Sequence, residues 1–182
     1  MARNRRDIDT GQKQAEIVAV ARHLFLTDGY EATGMARIAA EAGVAPNTLY
    51  WYFTDKDALL IEILNALVAE ALQAFGQVQG KPLDAQLLWL LDQFENTRTL
   101  VTTVHARLAV SPALATWHDG FHRMVEPVMV AQLATMKVPE SERALAATIG
   151  MFVIEGLLSH PDAAAQRVAM TRLLASRLVP AS

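Results

Sequence analysis

Residues 46–53, PNTLYWYF, combine side chains that hydrogen-bond with large aromatic rings in one short stretch. Leu49 and Phe53 are four residues apart, so in a helix they share one face, while Asn47, Thr48 and Trp51 point away from it. A helix of about seven residues is marginal on its own in water. We therefore expect the two apolar residues to anchor it and the polar and aromatic face to contact another molecule. Amide, hydroxyl and aromatic groups of this kind suit base edges and phosphates of nucleic acid.

The residues just before this stretch determine how it is presented. Ile38, Ala39 and Ala42 give residues 35–42 a small apolar helical face, and Gly43 follows where a helix needs a left-handed residue to end. Pro46 suits the first position of the next helix, where a missing N–H costs nothing. Residues 34–53 are thus predicted to form a helix-turn-helix, whose second helix enters the DNA major groove. The alternative is a packed helical hairpin without a partner.

The spacing extends over about residues 11–71 and resembles the DNA-binding domain of the tetracycline-repressor (TetR) family. The matching residues are Gly29-Tyr30, Thr33, Ile38-Ala39, Ala42-Gly43-Val44, Thr48-Leu49-Tyr50, Tyr52-Phe53 and Lys56. The resemblance implies an all-α fold, with an N-terminal three-helix DNA-binding domain at 11–71 and a C-terminal helical ligand-binding and dimerisation domain at 72–182. It also implies a homodimer that binds palindromic operator DNA.

The chain departs from the family pattern at several positions. Gly34 stands where Thr or Ser is frequent, so Thr33 is the expected helix cap. A frequent Arg is replaced by Ala36, which makes Arg37 the neighbouring candidate, and Asn47 replaces a common Gly. Asn47 is expected to bond to bases, Pro46 and Thr48 to contact thymine methyls or base edges, and Tyr50, Trp51 and Lys56 to contact phosphates. The predicted DNA-contacting residues are Thr33, Arg37, Pro46, Asn47, Thr48, Tyr50, Trp51 and Lys56.

Composition limits the other classes of function. The chain has 182 residues, 52% of them hydrophobic, no cysteine and a net charge of −3. The charge offers no bulk attraction to DNA, so binding needs a local basic patch. Arg3, Arg5, Arg6 and Lys13 form such a patch at the N-terminus, as an arm along the DNA backbone or as a solvated tail.

Neither a membrane protein nor an enzyme is predicted. MARNRRDID has no apolar core of a secretory signal, and the longest apolar stretch, residues 144–154, is too short to span a bilayer. We expect a cytoplasmic location. There is no phosphate-binding loop and no nucleophile elbow, and Asp119 and Glu126 fit a solvated helix face. No cofactor is predicted.

The rest of the chain is predicted to be helical. An amphipathic helix at 12–28 supports the two short helices, and a long helix from a capping box at Thr54 and Asp57 to about Gln77 joins the domains. Further helices are expected at 83–97, 99–109, 112–136, 141–158 and 163–178, with a bend at Pro127.

Two helices near the C-terminus are predicted to form the dimer interface. The sequence ALAATIGMFVIEGLL is apolar on nearly every side, so every side must be covered. A four-helix bundle between subunits would cover it; an ordinary intramolecular core is the alternative. The predicted interface residues are Ala147, Gly150, Met151, Ile154, Met170 and Leu174.

Aromatic and methionine side chains concentrate in residues 89–129 and suit an apolar effector pocket, or else an ordinary core. The predicted lining residues are Trp89, Phe94, His105, Trp117, Phe121, His122 and Met129. His118 and His122 are four residues apart, and with a further donor such as His105 they suit Zn²⁺. Histidines of a surface helix have the same spacing, so no metal is predicted outright.

Together these features predict a transcriptional regulator, a repressor that a small apolar or amphipathic effector releases from DNA. The alternatives are a helical adaptor, or a ligand-binding or metal-binding protein on the same scaffold, with DNA binding secondary.

Overall fold

The structure is a computed structural model that describes residues 5–160 and 166–179, with side chains from Thr10 onward. The described residues form α-helices and no strand, which confirms the all-α prediction. The helices are α1 (Arg5–Thr27), α2 (Met35–Glu41), α3 (Pro46–Tyr52), α4 (Lys56–Phe75), α5 (Leu83–Phe94), α6 (Arg98–Arg107), α7 (Pro112–Thr135), α8 (Glu140–Ser159) and α9 (Arg167–Leu178), with a short 3-10 helix, Glu95–Thr97, before α6.

The two short helices meet in the predicted tight turn. Gly43 has φ 64° and ends α2, and Val44 N–H donates to the Ala39 carbonyl at 2.9 Å. Pro46 occupies the first turn of α3. Leu49 is fully buried and Phe53 nearly so, which fixes the inner face of α3 against α1 and α2. The local glycine, proline and apolar spacing therefore produce the turn that they predict.

The caps of two helices differ from the predictions. Thr33 does not cap α2, because its hydroxyl is buried and donates to the Gly29 carbonyl at 2.8 Å. Asp55 caps α4 by accepting a bond from Ala58 N–H at 2.8 Å, in place of the capping box of Thr54 and Asp57. A carboxylate next to a helix start accepts from the free N–H groups there, which leaves Asp57 available for a longer-range contact.

The first helix begins at Arg5, seven residues before the predicted start. Arg5 and Arg6 therefore belong to the first turn of α1. Arg3 lies outside the described residues, so the arm prediction rests on the sequence alone. Lys13 pairs with Glu16 one turn along, at 2.5 Å.

The long helix α4 connects the N-terminal helices to the rest, and the predicted boundary at residue 71 lies inside it. Its length and apolar composition would allow it to cross a membrane, which the sequence analysis did not expect of any segment. In the fold its first half is core instead. Leu59, Leu60 and Ile63 are fully buried in an apolar cluster that includes α1, α2 and α3.

The same apolar cluster continues into the C-terminal helices through Leu100 and Val104 of α6 and Leu114 of α7. The N-terminal helices thus pack directly against α6 and are not joined to the other helices by a flexible linker alone. Two further clusters lie between α5 and α8 and between the end of α7 and the start of α8. Helix α7 continues through Pro127, whose side chain is exposed.

Candidate functional site

The outer face of α3 presents the polar and aromatic side chains to solvent. Trp51 is 70% exposed and Tyr50 53%, although both are large apolar residues. Pro46, Asn47 and Thr48 are also exposed on this helix. Exposing a tryptophan costs free energy unless another surface covers it, so this face has the character of a contact surface.

Three other predicted DNA contacts lie elsewhere. Thr33 is fully buried, so the prediction that its side chain contacts DNA is wrong. Arg37 is exposed but pairs with Asp28 at 2.7 Å. Lys56 donates to the Tyr30 carbonyl at 2.7 Å, and its ammonium group lies 4.1 Å from the centre of the Tyr30 ring. Partial burial lowers the pKa of Lys56. Lys56 thus supports the start of α4 as a partly buried side chain.

An ion pair joins α4 to the end of α6. Arg107 Nε and Nη2 donate to the two oxygens of Asp57 at 2.8 and 2.9 Å, and Tyr30 donates its hydroxyl to the same carboxylate. Burial by itself would raise the pKa of Asp57, but the hydrogen bonds from Arg107 and Tyr30 outweigh it and hold the pKa at about 2. Burial and the Asp57 charge raise the pKa of Tyr30. This contact between residues 50 positions apart could not be read from local spacing.

A cavity of about 200 Å³ lies among α4, α5, α6, α7, α8 and α9, with almost entirely apolar walls. Six of the seven predicted lining residues border it: Trp89, Phe94, His105, Trp117, Phe121 and Met129. The seventh, His122, is not among the lining residues. The stacked rings of Trp117 and Phe121, 5.5 Å apart, form part of one wall.

Helix α8 faces the cavity with residues that the sequence analysis assigned to a dimer interface. Gly150, Met151 and Ile154 line the cavity, as does Leu174 of α9. A Cβ atom on Gly150 would lie 3.0 Å from Met129 Cε across it. Ala147 is buried in the cluster between α7 and α8. Ala147, Gly150, Met151 and Ile154 are buried within their own protomer, so the prediction that these four residues form an intersubunit surface is corrected. Leu174 is half-buried and Met170 is 38% exposed, so their place at the interface stays a prediction.

The opposite face of α8 is apolar and uncovered. Leu145 is 66% exposed and Phe152 62%, and Ile149 lies between them on the same stripe. Leu173 of the neighbouring α9 is 59% exposed. These four residues are termed the α8–α9 face below.

Polar groups in the cavity wall were missed by the sequence analysis. Gln86 and Gln132 are both buried and line the cavity. Gln86 Nε2 donates to the Lys81 carbonyl at 2.7 Å, whereas Gln132 Nε2 is buried without a hydrogen-bond partner among the described residues. A glutamine on an otherwise apolar helix face is the signal that could have identified them.

Three histidines and one glutamate lie close together, and all of them except His122 line the cavity. His122 Nε2 lies 2.8 Å from Glu155 Oε1 and 3.2 Å from His118 Nε2. His105 of α6 packs edge-on against His118, with ring centres 5.3 Å apart. Burial, followed by the nearby His122, lowers the pKa of His118. The sequence analysis grouped the histidines but missed Glu155, which comes from α8.

Comparison with known proteins agrees with the N-terminal geometry. Residues 17–63 match the family model described as "Bacterial regulatory proteins, tetR family". An uncharacterised HTH-type transcriptional regulator of Bacillus subtilis, YxaF, is 30% identical over 57% of this chain and 58% of its own length. The HTH-type transcriptional regulator EthR of Mycolicibacterium smegmatis is 31% identical over 41% of this chain and 35% of its own. The chain thus aligns with little more than half of these relatives' length, or less.

Solved structures match over nearly the whole chain. A TetR-family transcriptional regulator from Pectobacterium atrosepticum superposes with a TM-score of 0.75 at 20% identity, covering 98% of this chain and 99% of the other. A transcriptional regulator from Saccharomonospora viridis, solved in complex with choline, gives 0.72 at 16% identity, with 94% and 100% covered. At such identities the likeness concerns the fold, and it extends through the C-terminal helices.

Proposed function

Because the chain belongs to the tetR family of bacterial regulatory proteins, we propose that it is a sequence-specific DNA-binding transcriptional regulator. The observation that carries the proposal is the outer face of α3, where Trp51 is 70% exposed on a helix whose inner residues are buried. A seven-residue helix held by Leu49 and Phe53 presents its N-terminal residues as a major-groove recognition helix does. Asn47 bonds to a base, and Tyr50 and Trp51 contact the flanking phosphates.

The protein acts as a homodimer, since an operator with two half-sites needs two recognition helices. The α8–α9 face supports this arrangement. Leu145, Ile149 and Phe152 follow a four-then-three spacing that gives one stripe along α8, and Leu173 extends it onto α9. Two copies of this helix pair form a four-helix bundle about a two-fold axis. The bundle removes from water the large exposed residues of both copies.

A small ligand in the cavity regulates DNA binding. The walls are apolar, and the unpaired amide of Gln132 offers a hydrogen-bond donor inside them, so an amphipathic molecule with an acceptor group fits best. The Saccharomonospora viridis structure, in complex with choline, supports a fold that accepts small molecules. In the ligand-bound conformation the distance between the two recognition helices no longer matches the two half-sites, so the ligand releases the DNA. The protein is therefore a repressor in the absence of ligand.

Helix α6 provides the physical connection between cavity and DNA. Val104 and His105 line the cavity, and Arg107, on the next half-turn, holds Asp57 at the start of α4. A ligand that displaces α6 therefore shifts the base of the N-terminal helices, because no flexible linker intervenes. The protein works on DNA in the cytoplasm and carries out no catalysis.

The test is selection of bound sequences from a random DNA pool with the full-length protein. We expect an enriched palindrome with half-sites about one helical turn, ~10 base pairs, apart, and binding that weakens as salt rises. Trp51→Ala should lose the enrichment, while Trp89→Phe in the cavity should keep it. A pool that yields no sequence preference would favour the adaptor or ligand-binding alternatives and overturn the proposal.

A further inference from the structure

Three of the five histidines in the chain converge on a single carboxylate. His105 is on α6, His118 and His122 are on α7, and Glu155 is on α8. One ligand atom each from His105, His118 and Glu155 can be chosen so that all lie within 4.8 Å of one another. Donors that come from three separate helices are brought together only by the packing, since they are spread over 51 positions of the sequence.

The distances suit a tetrahedral metal ion. Zn²⁺ binds histidine nitrogen and carboxylate oxygen at about 2.0–2.2 Å, so two ligand atoms of a tetrahedral site lie about 3.3–3.6 Å apart. His118 Nε2 and His122 Nε2 are 3.2 Å apart, and Glu155 Oε1 lies 2.8 Å from His122 Nε2 and 3.8 Å from His118 Nε2. The three separations bracket the tetrahedral value. His105 is the candidate for the fourth ligand, because one of its nitrogens lies within 4.8 Å of ligand atoms of His118 and Glu155.

Charge favours a cation at this place. Glu155 is 18% exposed, and its salt-bridge partners in the described part of the chain are the two imidazoles, with no lysine or arginine within 4.0 Å. A partly buried carboxylate without a permanent positive partner is costly. A divalent ion would neutralise it and satisfy the imidazole nitrogens that now face one another.

We propose that His105, His118, His122 and Glu155 bind one divalent transition-metal ion, with Zn²⁺ the best match to the donor set. Imidazole and carboxylate ligands in tetrahedral geometry favour Zn²⁺ over the hard ions Mg²⁺ and Ca²⁺. The bound ion ties α6, α7 and α8 together beside the cavity. His105 lies two residues before Arg107, so metal binding also fixes the helix end that holds Asp57.

The site is tested with the full-length protein after treatment with a chelator. Zn²⁺ is titrated in competition with a chromophoric chelator, and Co²⁺ is titrated for the visible absorption of a tetrahedral complex. We expect one ion per protomer, a rise in melting temperature, and an affinity that falls more than about 100-fold in His118→Gln/His122→Gln, since even indirect supports of a ligand are worth 10–100-fold. His23→Gln/His160→Gln, which changes two exposed histidines elsewhere, is the matched control.

Glu155→Gln is a second variant that keeps a hydrogen bond to His122 and so guards against misfolding of the double variant. Circular dichroism of each metal-free variant shows whether the helices are retained. Weak Zn²⁺ binding that is equal in wild type and in both site variants, or lost equally in the control, would overturn the site.

The metal site rests on its own geometry, and only its effect on DNA rests on the proposed function. DNA affinity is therefore measured separately, on the selected operator, with and without Zn²⁺. One ion bound in the absence of any operator preference would support the site while the proposed function failed. A selected operator together with no specific Zn²⁺ binding would support the proposed function and overturn the metal site.

Discussion

Asn47 is the residue on α3 best equipped to distinguish bases. It is exposed in the first turn of the helix, and its amide can both donate to and accept from one adenine. The family pattern that the chain resembles often has Gly at this position, so a base contact by Asn47 is predicted to be particular to this protein. Tyr50 and Trp51, by contrast, lie later on the helix and suit the DNA backbone.

Replacing Asn47 with alanine should reduce specificity. We expect specific binding to weaken by about 1–3 kcal/mol, with non-specific binding nearly unchanged, because a base contact discriminates among sequences and a phosphate contact does not. The measurement is fluorescence anisotropy with the selected operator and with a scrambled duplex. Asn96→Ala, which changes an exposed asparagine in the C-terminal half, is the control. Unchanged operator affinity in Asn47→Ala would refute this role.

Asp57 should make the fold sensitive to acid. Its pKa in the folded protein, about 2, lies below the ordinary value of 3.8, so its pairing stabilises the fold fully above that ordinary value and is lost as pH falls towards 2. Asp57→Asn should cost about 2–3 kcal/mol at pH 7, because the hydrogen bonds from Arg107 are charge-assisted. Below pH 4 the difference from wild type should shrink.

Urea unfolding at several pH values measures both effects. Asp119→Asn, on the exposed face of α7, should leave the curve unchanged. A stability difference for Asp57→Asn that stays constant from pH 7 to pH 2 would contradict the pKa of the folded state.

At the scale of elements, α8 carries both a wall of the cavity and most of the exposed apolar α8–α9 face. Gly150 and Met151 face inward, whereas Ile149 and Phe152 face outward, so neighbouring residues of α8 have opposite roles. The polar residues Gln132 and Glu155 stand in the cavity wall that α7 and α8 form. Substitutions on the cavity side of α8 and on its exposed side can therefore be made independently.

Gln132 should destabilise the protein in the absence of a ligand. A buried amide without a partner costs about 1–3 kcal/mol, so Gln132→Met should stabilise the protein by about 1 kcal/mol in urea unfolding. Gln86→Met is the matched control with the opposite sign, because it removes a bond to the Lys81 carbonyl. Destabilisation of equal size in both variants would mean that Gln132 already has a partner.

The outward face of α8 should hold the dimer together. Phe152→Asp places a charge at the centre of the α8–α9 face, and an unpaired buried charge costs several kcal/mol, so we expect monomers that keep their helical content. Val110→Asp changes another residue that is 69% exposed and should leave the dimer intact. Sedimentation velocity distinguishes the two, and an intact dimer for Phe152→Asp would place the interface elsewhere.

At the scale of the whole molecule, an apolar cluster and the ion pairs of Arg107 with Asp57 and Glu31 join the two halves. Leu100 and Val104 of α6 belong to the same core as the helix-turn-helix, and Arg107 closes on Asp57 at its edge. Leu100 and Val104 also line the cavity. A change in the cavity and a change at the recognition helix are therefore mechanically linked, through α6 and through α4, which both border the cavity and pack in this core.

Removing the ion pair should uncouple ligand from DNA. Trp89 and Trp117 line the cavity, so their fluorescence should change when a small apolar compound binds there. Ligands are therefore identified by a fluorescence screen. The screen uses the Trp51→Phe variant, which removes the signal of the tryptophan on the recognition helix. Such a ligand should weaken operator binding by a coupling free energy of about 1–3 kcal/mol. Arg107→Met should leave ligand affinity nearly unchanged and reduce this coupling. If the coupling free energy is the same in wild type and in Arg107→Met, contacts other than this ion pair transmit the effect of the ligand.

The sequence by itself determined the local features of this protein. Gly43, Pro46 and the pair Leu49 and Phe53 act on neighbours within one or two helical turns, so their types and spacing were enough to predict the turn, the start of α3 and its buried face. The aromatic and methionine side chains likewise indicated the cavity, because large apolar groups concentrated on few helices must meet.

Only the tertiary structure decided which side of α8 faces inward. A helix that is apolar nearly all round has no amphipathic direction, so its orientation is set by packing against α7 and α5 rather than by its own pattern. The same is true of the contacts of Asp57 with Arg107 and of Glu155 with the histidines, whose partners lie 50 and more than 30 positions away. Charges that meet across such separations leave no periodic signal in the sequence, because their proximity exists only once the helices have packed.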